Sequence, residues 1–255
     1  MAALAACQTA SPNPDQSNTH LDELSRLLAD ARLCKPVGDP SSWQARIEAC
    51  TRLLGSEVFA DQRLAGYTNR GILFKKVGKE AEALADFNAA IEAFPDSAIG
   101  YANRGDLFST QGKHELAALD FRKAYDLDPE NAIVLNNYAW SLVVQDDYAA
   151  ALSVLDQAMA RSGEPGAVGT APLSDALGAI HDTRAHALMG LGRLGEARTA
   201  FSRAIEFGGS ERVVRYQSAL VAKGYAPGRT DGVMDAQTDA ALSACIRDNC
   251  RLLLE

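Results

Sequence analysis

Cysteine and histidine are the residues of this sequence that most readily form covalent or metal bonds. The chain has five cysteines, and Cys34 and Cys50 stand on either side of a segment rich in Pro, Gly and Ser, residues 35–42. If that segment joins two antiparallel helices, the two sulfur atoms come within bonding reach. We therefore predict a disulfide between Cys34 and Cys50.

Cys245 and Cys250 form a second candidate pair near the other end of the chain. A spacing of five residues within one helix would point the two side chains to different sides. A disulfide between them therefore requires a break in the helix, and Asp248-Asn249 is the place where we expect one.

Metal binding and catalysis find little support in the residue pattern. Neither cysteine pair has the Cys-x-x-Cys spacing of a zinc knuckle or a redox motif. The histidines are scattered, and His181 and His186 do not have the spacing that aligns two zinc ligands on a helix. No Gly-x-Ser-x-Gly nucleophile motif and no phosphate-binding Gly-x-x-x-x-Gly-Lys motif occurs. We expect no metal, no cofactor and no enzymatic activity.

Composition favours helices for the elements that position these residues. Of the 255 residues, 47% are apolar but only 7% are aromatic, and alanine recurs every few positions. This mixture suits closely packed helices rather than sheets, so we predict an all-α fold. The formal net charge of −8 argues against a nucleic-acid binder, which needs a basic stripe. No apolar run approaches the roughly 18 residues of a membrane-spanning helix.

An internal repeat with a period of 34 residues organises the middle of the chain. Aligning Gly71 with Gly105 sets the frame. The same offset pairs further residues of identical type: Tyr67 with Tyr101, Asn69-Arg70 with Asn103-Arg104, Gly78 with Gly112, Ala83 with Ala117, Phe87 with Phe121, Ala90 with Ala124, and Pro95 with Pro129. A third copy follows directly, and a fourth follows after about a dozen extra residues.

The residues in this frame resemble the tetratricopeptide repeat, a helix-turn-helix unit of 34 residues. In that family small residues let the two helices approach closely, an aromatic side chain fills space and proline ends the second helix, roles that fit Gly71, Phe87 and Pro95. The resemblance implies a right-handed solenoid of helix pairs spanning 19–209. Its clear repeats are assigned to four ranges: 64–97, 98–131, 132–165 and 178–211.

A degenerate fifth unit is expected before the clear repeats. Ile47 and Cys50 stand 40 residues before Phe87 and Ala90, in the slots of a second helix. Ahead of them, leucines from Leu21 onward trace one face of a helix for which Thr19 is the expected N-cap. Between the third and fourth repeats, a Gly/Pro-rich insertion around 163–169 is expected to be a surface loop; it either holds a ligand against the array or is a tolerated insertion.

By the same resemblance, the first helix of each repeat lines a groove that binds a protein or peptide ligand. Polar side chains at repeated positions would hydrogen-bond a peptide backbone without reading its sequence. Trp140 would supply an apolar anchor, or else it packs between repeats. The full set predicted to line the groove is Asn69, Lys75, Lys76, Asn103, Asp106, Asn136, Asn137 and Trp140.

From Ser210 onward the 34-residue frame fails and a different pattern begins. Its marks are Tyr216-Gln217, Leu220, Gly224-Tyr225, Gly228, Asp231-Gly232, Thr238 and Ala241-Leu242. This order resembles the peptidoglycan-binding-like module, a small three-helix domain of bacterial cell-wall proteins, and implies a module over 210–255. Gly224 would end its first helix in a left-handed cap, and Asp231-Gly232 would turn the chain toward a helix beginning near Asp235.

The module resemblance implies that 210–255 binds peptidoglycan. Tyr225 would stack on a sugar face, while Arg229 and Asp231 would hydrogen-bond polar substituents. This segment has six basic and six acidic residues, so it is the part of the chain least repelled by an anionic wall. Two departures from the family pattern occur, at Met234-Asp235-Ala236 and at Cys245-Ile246. The alternative is that the segment begins with a capping helix of the repeat array.

Cys7 closes the tetrapeptide Leu4-Ala5-Ala6-Cys7, which resembles the bacterial lipobox. In that motif the cysteine becomes the lipid-bearing first residue, and here a Pro/Ser/Asn/Thr-rich tether would follow up to residue 18. Only six residues precede Cys7, so either translation begins upstream or the match is accidental.

Together these patterns predict a bacterial envelope scaffold in the periplasm, tethered to a membrane through a lipid on Cys7. It would bind proteins through its repeats and the wall through 210–255. The alternative is an adaptor of a secretion or outer-membrane assembly complex, in which the C-terminal segment is only a cap.

Overall fold

The computed structural model describes residues 14–58, 60–162, 171–250 and 252, and the regular secondary structure in these ranges is helical. The described part contains eleven α-helices and two short 3-10 turns. The helices are α1 (Pro14–Leu33), α2 (Trp43–Leu54), α3 (Arg63–Lys76), α4 (Glu80–Ala93), α5 (Ala98–Thr110), α6 (His114–Leu127), α7 (Ala132–Val144), α8 (Tyr148–Ser162), α9 (Ala171–Gly190), α10 (Leu194–Ala222) and α11 (Ala236–Arg247). The predicted all-α class is confirmed.

Each assigned repeat is a pair of helices joined by a three-residue turn: α3 with α4, α5 with α6, α7 with α8, and α9 with α10. The middle residue of every turn has a positive φ, a conformation that glycine adopts without steric cost. Gly78, Gly112 and Gly192 hold that position in three turns, and Asp146 holds it in the third repeat. The glycine spacing of the sequence therefore marks the turns between paired helices.

The chain forms two compact units, Met1–Pro95 and Asp96–Glu255. In the first unit, α1 and α2 precede the first clear repeat, as expected for a degenerate pair, and Ile47 and Cys50 are buried. The predicted cap at Thr19 is wrong, because α1 begins at Pro14 and Thr19 lies inside it. Proline suits a first helical turn, since the N–H that it lacks has no partner there.

The two helices of a repeat touch where glycine faces phenylalanine. A Cβ on Gly71 would lie 2.5 Å from Cε1 of Phe87, and one on Gly105 would lie 2.9 Å from Cε1 of Phe121. Both rings are almost completely buried. Phe87 thus fills space inside its own repeat, against Gly71, so the helices approach closely only because Gly71 has no side chain.

Both predicted cysteine pairs occur in the structure as disulfides. Cys34 and Cys50 join the end of α1 to α2 with their Cα atoms 4.8 Å apart. Cys245 and Cys250 have Cα atoms 4.9 Å apart, because α11 ends at Arg247 and Asn249 has a φ of 51°. This turn brings the backbone N–H of Cys250 to the carbonyl oxygen of Cys245, at 2.9 Å.

The C-terminal segment shares its core with the fourth repeat instead of building a separate one. Side chains of 210–252 and of α7 to α10 form one apolar cluster, in which Phe201, Tyr216, Leu242 and Leu252 are buried. Helix α10 breaks at Gly209, where φ is 56° and ψ is −152°, and continues to Ala222. Within the described part of 210–255, the expected three helices are reduced to two, the end of α10 and α11, and no second core begins at 210.

Local structure in this segment follows the sequence pattern closely. Gly224 has a φ of 85° just after α10, as expected for a left-handed cap. The Asp235 side chain accepts a hydrogen bond from the Thr238 backbone N–H and begins α11. Gln217 is fully buried and joins the two helices: it accepts from Gly232 N–H and donates to the Val233 carbonyl and the Thr238 hydroxyl.

Candidate functional site

In the first unit, the predicted groove residues have partners within the fold. The Asn69 side-chain amide donates to the backbone carbonyl of Cys34 at 2.8 Å, so it holds the end of α1. The Lys76 ammonium lies 5.3 Å from the centre of the Trp43 ring, a cation-π contact, and Lys75 also has an interaction partner. These side chains therefore support the fold around α3.

In the second unit, helices α5, α7 and α9 pack side by side and form what we call the first-helix layer. On α5, the Asn103 amide donates to the Ile99 carbonyl of its own helix at 2.8 Å. Asp106 lies on the same face, is half-buried and is also engaged. The carbonyl oxygen of the Asn103 side chain still faces away from this bond and can accept a further hydrogen bond.

On α7, the three predicted groove residues have different environments. Asn136 accepts a hydrogen bond from the Thr183 hydroxyl at 2.8 Å and so joins α7 to α9. Trp140 packs against the core, and its ring meets His186 edge-on at 5.4 Å. Asn137 is half-buried and makes no side-chain hydrogen bond within the described residues. Trp140 therefore has the packing role that the sequence left open, and Asn137 is the amide that remains available.

Two isoleucines that the sequence reasoning did not select lie on the exposed side of this layer. Ile99 is 49% exposed and Ile133 is 65% exposed. Each stands one helical turn before an asparagine, Asn103 or Asn137, so the pairs share a helix face. Both isoleucines hold the second position of their repeats, a coincidence at 34 residues that an alignment of the repeats could have revealed.

In the C-terminal segment, two of the three predicted wall-binding residues have structural roles. The Tyr225 hydroxyl donates to the Asp248 carboxylate at 2.9 Å, which raises the pKa of Tyr225, and the ring packs against the core. Asp231 accepts from the Val233 backbone N–H at 3.0 Å and holds the turn. Arg229 is mostly exposed, with its Nε 3.5 Å from Asp231.

A buried ion pair repeats in the first two clear repeats and changes in the later ones. Arg70 binds Asp86 through its Nε and Nη2 at 2.8 and 2.7 Å, and Arg104 binds Asp120 through the same two atoms at 2.7 and 2.8 Å. These bonds raise the pKa of both arginines. The shared geometry arises because the paired positions face each other across each helix pair.

The later repeats depart from this pair in two ways. The third repeat has Tyr138 and Val154 at the two positions, and Tyr138 stacks on Tyr125 at 5.3 Å. The fourth repeat keeps the arginine, Arg184, but has Ala200 in place of the acid.

Two of the predicted features lie outside the described residues: Cys7 and the insertion around 163–169. Within the described ranges, no cluster of three or more His, Cys, Asp or Glu side chains is arranged to hold a metal ion. None of the helices described combines the length and apolar character that crossing a membrane requires.

Comparison with known proteins identifies the repeats and the fold. Residues 68–132 match a family model described as a tetratricopeptide repeat. No curated protein sequence matches the chain.

Solved structures with similar folds extend the comparison over most of the chain. A thermophilic TPR protein of Thermus thermophilus, TTC0263, has a TM-score of 0.54 at 19% identity and covers 78% of this chain and 99% of its own. Pseudomonas aeruginosa pilF has a TM-score of 0.53 at 21% identity, with coverages of 74% and 88%.

A third structure, YrrB, has a title that describes a TPR protein with an unusual peptide-binding site. Its TM-score is 0.52 at 21% identity, with coverages of 81% and 96%. Residues 68–132 therefore carry tetratricopeptide repeats, and the chain has the all-α helix-pair fold of tetratricopeptide-repeat proteins.

Proposed function

We propose that the protein is a non-catalytic scaffold that binds protein or peptide partners through its first-helix layer. The observation that carries this proposal is the exposure of Ile99 and Ile133 beside the amides of Asn103 and Asn137. An extended peptide needs apolar contacts for affinity and hydrogen-bonding side chains for its backbone, and this face offers both. The peptide-binding site named for YrrB is consistent with such use of the fold.

A peptide-display selection against the full chain tests the proposal. Selected peptides should bind the Ile99→Ser/Ile133→Ser variant at least tenfold more weakly, because their apolar anchors lose contact area. The matched control is Leu116→Ser/Leu119→Ser on α6, where the two leucines are 47% and 66% exposed. Equal loss of affinity in both variants, or no loss in the isoleucine variant, would contradict the proposal.

Wall binding by 210–255 is a further part of the proposed function and is based on the sequence resemblance. Tyr225 and Asp231 have partners inside the segment, so Arg229 is the residue best placed to meet a glycan or peptide. Deleting the segment would uncover the core of the fourth repeat, so point variants of the full chain are the appropriate reagents. Co-sedimentation with purified sacculi should fall for Arg229→Ala and persist for the exposed control Arg215→Ala. Equal pelleting of the two would remove Arg229 from wall binding.

Tethering through Cys7 and residence in the bacterial periplasm complete the proposal. Two acyl chains are needed for stable anchoring, and the Pro/Ser-rich residues after Cys7 would supply the tether. Protein expressed with its native upstream region should begin at Cys7 and carry a diacylglyceryl group, as mass spectrometry would show. An unmodified Cys7 in that sample would contradict the tether.

The alternative function is that of an adaptor in a secretion or outer-membrane assembly complex, with 210–255 as a cap. The core shared between Phe201 of α10 and Leu242 of α11 favours the capping part of this alternative, since a terminal repeat needs a cover for its apolar face. The sacculus experiment separates the two functions, because a cap has no affinity for the wall.

A further inference from the structure

The fourth repeat contains an arginine that has lost the acid its equivalents hold. In the first two repeats, the Nε and Nη2 atoms of Arg70 and Arg104 each bind a buried aspartate of the second helix. The equivalent arginine, Arg184, bonds Asp156 of α8 and the sulfur of Met159, and both contacts use only Nη1. Its Nε and Nη2 have no hydrogen-bond partner among the residues that the structure describes.

A cavity lies where the missing carboxylate would stand. It has a volume of about 500 Å³ and opens between α9 and α10, and both Arg184 and Ala200 line it. Ala200 is buried, so the space in front of Arg184 is formed within the helix pair and is not simply open surface. The third repeat differs because it replaced both members of the ion pair, whereas the fourth replaced only the acid.

The other polar groups around this cavity are suited to an anion but do not fill it. Arg203 lines the opening and keeps one contact with Glu206 at 2.9 Å, and the His181 ring stacks on Phe207 at 5.5 Å. The one lining carboxylate, Glu196, is held at the surface by Arg193, which lowers the pKa of Glu196.

We propose that this cavity, the Arg184 pocket, binds a carboxylate group of a protein partner. The carboxylate would take the place that Asp86 and Asp120 occupy in their own repeats and accept two parallel N–H bonds from Nε and Nη2 of Arg184. Such fork-to-carboxylate pairing is the strongest hydrogen bonding that arginine makes. The inference deepens the proposed scaffold function, because it names an acidic side chain or chain terminus as one feature of the partner.

The closing experiment uses small probes on the full chain, so that it does not depend on knowing the partner. Sodium acetate is titrated at constant ionic strength while the Nε–H resonance of Arg184 is followed by NMR, with the resonance assigned from its loss in Arg184→Lys. Acetate has only four heavy atoms, so a dissociation constant on the order of millimolar is expected. Acetamide, which has the same shape without the charge, should shift the resonance at least tenfold less at equal concentration.

Two variants of α10 make the test specific. Ala200→Asp restores the internal acid, so it should shift the Arg184 resonance without ligand and remove the response to acetate. Ser202→Asp adds the same charge at an exposed position two residues away and should keep the response. Inorganic phosphate serves as the competing oxyanion, and a response to phosphate without one to acetate would overturn the carboxylate assignment.

An unchanged acetate response in Ala200→Asp, or equal responses to acetate and acetamide, would overturn the pocket. Peptide binding measured with the isoleucine variants of the first-helix layer is a separate result and would stand if the pocket failed. A working pocket with no effect of the isoleucine variants would instead reject the proposed binding face alone.

Discussion

The buried pair of Arg70 with Asp86 shows how single side chains stabilise a repeat of this protein. The aspartate is almost completely buried, and both of its oxygens accept hydrogen bonds from one guanidinium. Removing one partner of such a pair leaves a charge with no compensation, which costs far more than the pair itself contributes. The pair is thus a point where a small chemical change has a large effect.

Asp86→Asn should destabilise the first unit by about 3 kcal/mol, because Arg70 then faces a neutral amide in a buried place. Urea unfolding followed by circular dichroism measures the change. Asp96→Asn, at an exposed position of the same residue type, should change the free energy of unfolding by less than about 0.5 kcal/mol. Similar values for the two variants would show that the Asp86 contact carries no special weight.

Gly71→Ala should destabilise the protein by about 1–3 kcal/mol, because the added methyl overlaps the Phe87 ring. The control is Gly195→Ala in α10, where a Cβ would meet nothing within 4 Å. There the alanine should be neutral or stabilise by about 0.5 kcal/mol, since it restricts the unfolded chain. Thermal unfolding of both variants provides the comparison, and a neutral Gly71→Ala would contradict the close packing of α3 on α4.

At the scale of helices, covalent and polar cross-links hold the ends of the described array. The Cys34–Cys50 disulfide joins α1 to α2, which have a clear repeat on only one side. At the other end, Gln217 links the end of α10 to the turn before α11 by three hydrogen bonds. Terminal elements of a repeat array lack a neighbour, so such links replace part of the missing packing.

Removing the first disulfide by Cys34→Ser/Cys50→Ser should lower the free energy of unfolding by about 3 kcal/mol, as expected for closing a loop of 16 residues. Alkylation of the denatured, unreduced wild-type protein should leave all four cysteines of the two pairs unmodified. Four modified cysteines besides Cys7 would refute both bonds.

Gln217→Leu should loosen the turn at Asp231-Gly232, because the Gly232 N–H and the Val233 carbonyl both lose a buried partner. We expect amide exchange at Gly232 to accelerate more than tenfold, while α5 and α6 keep their protection. Unchanged exchange at Gly232 would show that the turn is held without Gln217.

At the scale of the whole molecule, pH acts on buried tyrosine as well as on the net charge of −8. Burial and the neighbouring Asp182 carboxylate raise the pKa of Tyr216 well above the ordinary value of 10.0. Because the pKa in the folded state exceeds that in the unfolded state, the protonated phenol stabilises the fold fully below pH 10. That contribution is lost as the pH rises above 10 toward the folded pKa.

We therefore expect Tyr216 to ionise only as the protein unfolds in alkali, together with a drop in helix content. Absorbance at 295 nm and circular dichroism, recorded from pH 8 to pH 12.5, measure both events. Tyr216→Phe should weaken the dependence of stability on pH above 10. Complete ionisation of all seven tyrosines near pH 10 with the helices intact would contradict the prediction.

The sequence by itself determined the helix pairs, their turns and the caps of the C-terminal segment. These features depend on residues close together in the chain: Gly71 faces Phe87 sixteen positions later, and Asp235 caps the helix that it begins. A fixed spacing is enough to read such contacts, because each repeat repeats the same local geometry. The disulfide of Cys34 with Cys50 was readable for the same reason.

Only the tertiary structure decided which polar and aromatic side chains are available to a ligand. Asn69 is held by the Cys34 carbonyl, Trp140 lies against His186, and Tyr225 donates to Asp248, so each is engaged by a partner far away in the sequence. The repeat frame gives these residues a face of a helix but does not say what packs on it. The same holds for the Arg184 pocket, where the missing aspartate is visible in the alignment but the cavity depends on how α9 and α10 pack.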